Sequence, residues 1–136
     1  MKICGADIVK YALLFRGTPY RYGAETEGLK APMAFDCSEF VEFVLRHLGI
    51  TFPDGSYNQY PACRDAGLLI EIDRARGTPG ALVFRRHPMT NRINHVAICD
   101  GLNGTIEARG TQWGTGCWPW RPGWSDAGLV PGVYYK

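Results

Sequence analysis

The segment from Asp36 to Gly49 constrains this chain more than any other part of it. Asp36 is a good helix N-cap, Glu39 three residues on completes a capping-box pattern, and Gly49 supplies the stop. Between them Phe40, Val41, Val44, Leu45 and Leu48 recur at helical spacing, so the segment predicts one amphipathic helix with a stripe to bury. A helix this short holds its shape through tertiary packing rather than propensity, so the rest of the chain must supply a surface. The second half does. Ala81–Phe84, Ile93–Cys99 and Thr105–Arg109 read as short strands, the last two joined through Asp100-Gly101-Leu102-Asn103-Gly104. A final strand is expected over Leu129–Tyr135, at an edge because of Pro131 and Gly132. An earlier helix is expected from Ala6 to Phe15, broken by Gly17, Pro19 and Gly23. Helices first and an antiparallel meander after them define an α+β domain, with the helices packed on one face of a small sheet.

With 136 residues the chain is expected to form a single domain over 1–136, and its 46% apolar content excludes a disordered protein. No apolar run approaches the length of a membrane span. The net charge is +2, which gives no broad field toward nucleic acid or an anionic membrane. The five cysteines, Cys4, Cys37, Cys63, Cys99 and Cys117, are odd in number and show no C-x-x-C spacing. They read as reduced thiols, mostly small buried groups, with room for one that reacts, and no metal site is expected. Asp7, Lys10 and Arg16 interrupt the first residues, so they do not read as a secretory signal. The expected site of synthesis is the cytoplasm, without an export address of its own.

Cys37 falls in the first turn of the predicted helix, where free backbone N–H groups and the positive end of the helix dipole favour a thiolate. The same position on an apolar stripe also suits an inert core cysteine. Of the three histidines, His47 lies on the same helix, about 15 Å along it, out of reach of Cys37. His87 belongs to an Arg-Arg-His-Pro loop. His95, inside a strand and on the face of Ala97 and Cys99, is the one that a sheet-on-helix fold can bring to Cys37. Glu107 is the natural group to orient its imidazole. Twelve residues separate the two, so they share a face only if the hairpin loop is odd or a bulge intervenes. A three- or five-residue loop is therefore expected, in preference to a tight Asn-Gly turn. The alternative for Glu107 is an exposed strand carboxylate paired with Arg109.

Five stretches taken in order resemble the NlpC-type cysteine peptidases, which are papain-like endopeptidases of peptidoglycan stem peptides. They are Gly17-Thr-Pro-Tyr20-Arg-Tyr22-Gly23, Phe35-Asp36-Cys37-Ser38, Pro79-Gly80-Ala81-Leu82-Val83-Phe84, His95-Val96-Ala97-Ile98 and Ile106-Glu107-Ala108-Arg109-Gly110. The resemblance implies a papain-like fold with Cys37 as nucleophile, His95 as base, Glu107 as orienting residue and Tyr20 beside the oxyanion site. It also implies that Asp36 and Ser38 hold the amino end of the substrate, with Arg109 meeting a substrate carboxylate or forming a salt bridge to Asp36 or Glu107. Of Trp113, Trp118, Trp120 and Trp124, at least two are expected to cover the sheet and the rest, Trp113 among them, to wall a peptide groove. The expected partner is a peptidoglycan stem peptide cut after D-glutamate, before the diamino acid, through an acyl-enzyme and without metal or organic cofactor. Glu39 stands where glycine is common in the family, which suggests a divergent, phage-like branch, and Ala81 stands where aspartate is usual, which implies an altered turn or site rim. Without a signal sequence, the expected routes to the bacterial wall are lysis, as for an endolysin, a phage particle or a secretion apparatus delivering an antibacterial protein. The alternatives are an amidase or lipid acyltransferase on the same scaffold, or a non-catalytic structural or wall-binding module.

Overall fold

The computed structural model of the chain describes residues 2–26, 28–29 and 32–135. Three helices come first: α1 (Gly5–Leu13), α2 (Cys37–His47) and α3 (Ser56–Asp65). They are followed by β1 (Leu69–Ile70), α4 (Ile72–Arg76), β2 (Leu82–Arg86), β3 (Ile93–Cys99), β4 (Gly104–Gly110), β5 (Gly114–Pro119) and β6 (Asp126–Gly128). The strands form one antiparallel sheet in the order β1-β6-β2-β3-β4-β5. The α+β expectation holds, and β3 has the boundaries expected from its pattern. Among the described residues no helix is long and apolar enough to cross a membrane.

The alternation of the strands sorts the core into two layers. Val96 and Ile98 of β3 and Ile106 and Ala108 of β4 join Ile8, Ala12, Phe40, Val41, Phe43, Val44 and Leu45 beneath α1 and α2. Ala97 and Cys99 face the other way, into a thinner layer closed by Ala75 of α4, by Leu129 and by Trp120 and Trp124. Two of the four tryptophans thus cover the sheet. Ala81 directly follows the turn at Pro79-Gly80 and is fully buried in this second layer.

Leu129–Tyr135 is not an edge strand. The last strand is β6, which lies inside the sheet between β1 and β2. Beyond it, the Val130 amide donates to the Tyr135 hydroxyl (3.1 Å), which in turn donates to the Gly80 carbonyl (3.0 Å). Among the described residues the backbone of this segment makes only an isolated parallel bridge, Tyr134 with Cys4, and Pro131 offers no amide to extend a ladder. Gly128 must be small, because a Cβ there would lie 2.7 Å from Cys63 Cβ.

Candidate active site

Asp36 caps α2 as its sequence suggests: its side chain accepts from the Glu39 amide at 2.8 Å and from the Ser38 hydroxyl at 3.2 Å. The other half of the capping box is absent. The Glu39 carboxylate accepts from the Thr26 amide (2.9 Å) and hydroxyl (3.2 Å), so it ties the preceding loop to the helix instead. Gln59, fully buried on α3, donates to the carbonyls of Ser38 (3.1 Å) and Pro53 (2.9 Å). Cap, loop and third helix together hold the turn that begins with Cys37.

Cys37 is 8% exposed and lines a cleft of about 500 Å³ with Tyr20, Asp36, Ser38, Asp54 and Tyr57. The backbone amides of Val96, Ser38 and Cys37 lie near enough to its sulfur to favour the thiolate. The Val96 amide is free for this because the β3–β4 ladder ends at Ile98↔Ile106. The cysteine therefore meets β3 one residue from His95. Burial pushes its thiol up to about 11, with the Asp36 charge adding to the rise, against the lowering by the three amides. The helix terminus was expected to favour the thiolate. Withdrawal from water outweighs it and disfavours the charged form.

His95 is 5% exposed and donates from Nε2 to Glu107 Oε1 at 2.8 Å, which leaves Nδ1 as the nitrogen available to a thiol. Five residues, Asp100 to Gly104, separate the paired Cys99 and Thr105. The loop is odd, as the shared face of His95 and Glu107 requires. Asp100 shapes it by accepting from the Leu102 (2.6 Å) and Gly104 (3.0 Å) amides, while Asn103 takes a φ of 63°. The exposed-strand alternative for Glu107 does not hold, since its side chain is fully buried.

Glu107 has further partners. Arg121 grips it with both terminal nitrogens, Nη2 to Oε1 at 2.7 Å and Nη1 to Oε2 at 3.0 Å, and the Thr105 hydroxyl donates to Oε2. Burial alone would raise this carboxyl. The bonds from His95 and Arg121, the His95 charge and the Thr105 hydroxyl outweigh it and hold the group down to about 2. Trp124 stacks on the imidazole, with ring centroids 5.8 Å apart and planes 19° apart.

Sequence reasoning missed Arg121, Thr105 and Trp124. Arg121 arrives from the loop after β5, and no strand register points to it. A fully buried glutamate does call for a cation, which is the signal that was available.

Arg109 was expected to reach a carboxylate of the substrate, of Asp36 or of Glu107. Its guanidinium instead stacks on Trp113 at 3.9 Å and faces Trp118 at 5.2 Å, and neither Arg109 nor Trp113 lines the cleft. Tyr20 does line it. Burial first, then the nearby Cys37 and Asp36, push its hydroxyl up to about 12, so it stays a donor. Burial also raises Asp36, against the bonds from Glu39 and Ser38. Glu39, Glu42 and Asp54 bring carboxylate oxygens within 4.8 Å of one another. His47 packs against Tyr11, Phe15 and Phe43, and His87 Nδ1 accepts from the Met89 and Thr90 amides. Both are structural.

A cysteine at a helix N-terminus, together with a strand histidine oriented by a buried acid on an α+β scaffold, is the residue set of a papain-like domain. Residues 17–126 match the NlpC/P60 family, and the chain belongs to it. It is 31% identical over 93 residues to the probable endopeptidase p60 of Listeria grayi, covering 68% of this chain and 16% of that protein. It is 32% identical over 100 residues to the bifunctional muramidase/DL-endopeptidase CwlT of Bacillus subtilis, covering 73% of this chain and 27% of that one. The chain thus spans well under half the length of these relatives. Among solved structures, the NlpC/p60 domain of the peptidoglycan hydrolase SagA superposes with a TM-score of 0.74 at 27% identity. That match covers 94% of this chain and all of the SagA domain.

Proposed function

We propose that this domain is a thiol endopeptidase of peptidoglycan stem peptides, with Cys37 as nucleophile, His95 as base and Glu107 as the group that orients the ring. The observation that carries the proposal is a buried Cys37 close to the Val96 amide, one residue along β3 from a His95 whose Nε2 is already committed to Glu107. Kinship with endopeptidases of the NlpC/P60 family supports the substrate class.

His95 Nδ1 takes the proton from the Cys37 thiol as Sγ forms a bond to the scissile carbonyl carbon. The carbonyl electrons move to oxygen, where the Cys37 amide and the Tyr20 hydroxyl are the available donors. Collapse breaks the C–N bond, and the imidazolium gives its proton to the departing amine. Water then attacks the thioester, losing a proton to His95. The carboxylic acid leaves and the thiol is restored.

Glu25, Asp36 and Asp54 give the cleft an acidic lining, which suits a substrate with a free amine. The bond proposed is the one after D-glutamate, before the diamino acid. Digestion of purified muropeptides, read by mass spectrometry with Cys37→Ala as control, tests both points. The expected products are two peptides from a cut within the stem, absent with the variant. Release of an intact stem from the glycan would mean an amidase, and unchanged cleavage by Cys37→Ala would overturn the thiol mechanism.

A further inference from the structure

We infer that Arg121 is a positioning residue of this site: its fork fixes the Glu107 carboxylate and, through it, holds His95 with Nε2 protonated and Nδ1 bare toward Cys37. The inference rests on the thiol-peptidase reading above and assigns a role to a residue outside the five matching stretches.

A buried carboxylate bonded to an imidazole alone has two faults as an orienting group. It is free to turn about its last torsion, and its uncompensated charge stabilises the imidazolium, making the ring a poorer donor to the leaving amine. Arg121 answers both. Its two parallel bonds, 2.7 and 3.0 Å, engage both oxygens and set the carboxylate plane. Its charge is permanent, so it balances Glu107 at every working pH.

The placement of Arg121 is itself built. Its guanidinium faces the Trp124 ring at 5.1 Å, and that same ring stacks on His95. Trp120 packs on Trp124 at 6.2 Å, and Arg76 of α4 faces Trp120 at 5.0 Å. Between Arg121 and Trp124 lies Pro122-Gly123, whose glycine adopts a φ of 103°, a conformation that returns both side chains to the sheet. One loop therefore delivers the cation and the ring that stacks on the imidazole. Arg109, though it lies on β4 two residues from Glu107, is held by Trp113 instead.

The charged groups facing His95 are Glu107 from β4, Arg121 from this loop and Arg85, its register partner on β2. Removing the Arg121 charge therefore leaves Glu107 as the dominant influence on the ring.

Ring-nitrogen NMR of ¹⁵N-histidine-labelled protein, followed through a pH titration, tests this without substrate. In the native protein the neutral His95 ring should carry its proton on Nε2, against Glu107. In Arg121→Gln its midpoint should rise relative to native, because the unbalanced Glu107 charge favours the imidazolium. The limb of the kcat/KM pH profile that reports His95 should move with it. Arg121→Lys keeps the charge but loses the fork. It should return the midpoint toward native while kcat/KM stays about tenfold down. A folded Arg121→Gln with native His95 midpoint and tautomer would overturn the inference. Were that variant unfolded, native kcat/KM in Arg121→Lys would overturn it equally. Muropeptide cleavage that survives in Cys37→Ala would instead sink the thiol mechanism, and the NMR result would stand apart from it.

Discussion

Glu107 and Glu42 are both largely withdrawn from water, yet the protein treats their charges in opposite ways. Glu107 is held down to about 2, despite burial, by His95, Arg121 and Thr105. Glu42 is raised well above the carboxylate range by burial and by its carboxylate neighbours Glu39 and Asp54, against which Arg46 at 3.3 Å is a weak counterweight. The pair shows that donors, not depth, decide whether a buried acid is ionised. Glu107 has three donor groups fixed around it. Glu42 meets mostly other acids, and its charged form is disfavoured. The site is built around the first kind, while Arg46, paired with Glu42, bonds the loop at Thr26 and Gly28.

Removing the Glu107 side chain should have the largest effect. Glu107→Ala leaves Arg121 and His95 without their acceptor and should cost about 3–5 kcal/mol in urea unfolding. Glu107→Gln keeps the shape and should lower kcat by at least about 10²-fold, measured on muropeptides. An active Glu107→Gln would mean that the ring needs no anion behind it.

The second effect is pH dependence. The folded Glu107 titrates near about 2, below its ordinary 4.5. Its contribution is therefore complete above 4.5 and is lost as pH falls toward about 2. Acid unfolding of the native protein should show this loss, and Glu107→Gln should show a shallower slope there. Glu42 has the opposite sign. Its folded pKa is raised, so its penalty grows as pH climbs above the ordinary carboxylate range. Glu42→Gln should therefore raise Tm more at pH ~9 than at pH ~5 relative to the native protein. An equal change at both would remove the contrast between the two acids.

The smallest effect concerns the loop. Thr26→Val removes the hydroxyl shared by Glu39 and Arg46 but keeps the backbone bond, and should cost about 1 kcal/mol by urea unfolding.

These contrasts were unequally legible in the sequence. Periodicity and caps are local signals, and they located α2, the Asp36 cap and the whole of β3. Strand parity carried further still, because requiring His95 and Glu107 on one face also required an odd loop. The helix α3 was not legible. It has Gly55 rather than a polar cap and Pro61 inside it, and it is held by Gln59 and by packing against β3, which are tertiary facts. Glu39 was misjudged for a related reason. The capping-box pattern is local, whereas its true partner, Thr26, is thirteen residues away. Arg121 lies on a loop, where no period links it to Glu107. The thiol's state was misjudged because a helix dipole can be seen in a sequence, while the burial that opposes it needs the fold.

The most direct test of the account is the rate of iodoacetamide alkylation at Cys37, followed site by site by mass spectrometry at neutral pH in the native protein and in His95→Ala. A buried thiol at about 11 reacts at that pH only with a base beside it. The account predicts that Cys37 is alkylated in the native protein and slows by at least about tenfold in His95→Ala, with Cys63 and Cys99 unreactive in both. Equal Cys37 rates in the two proteins would contradict it.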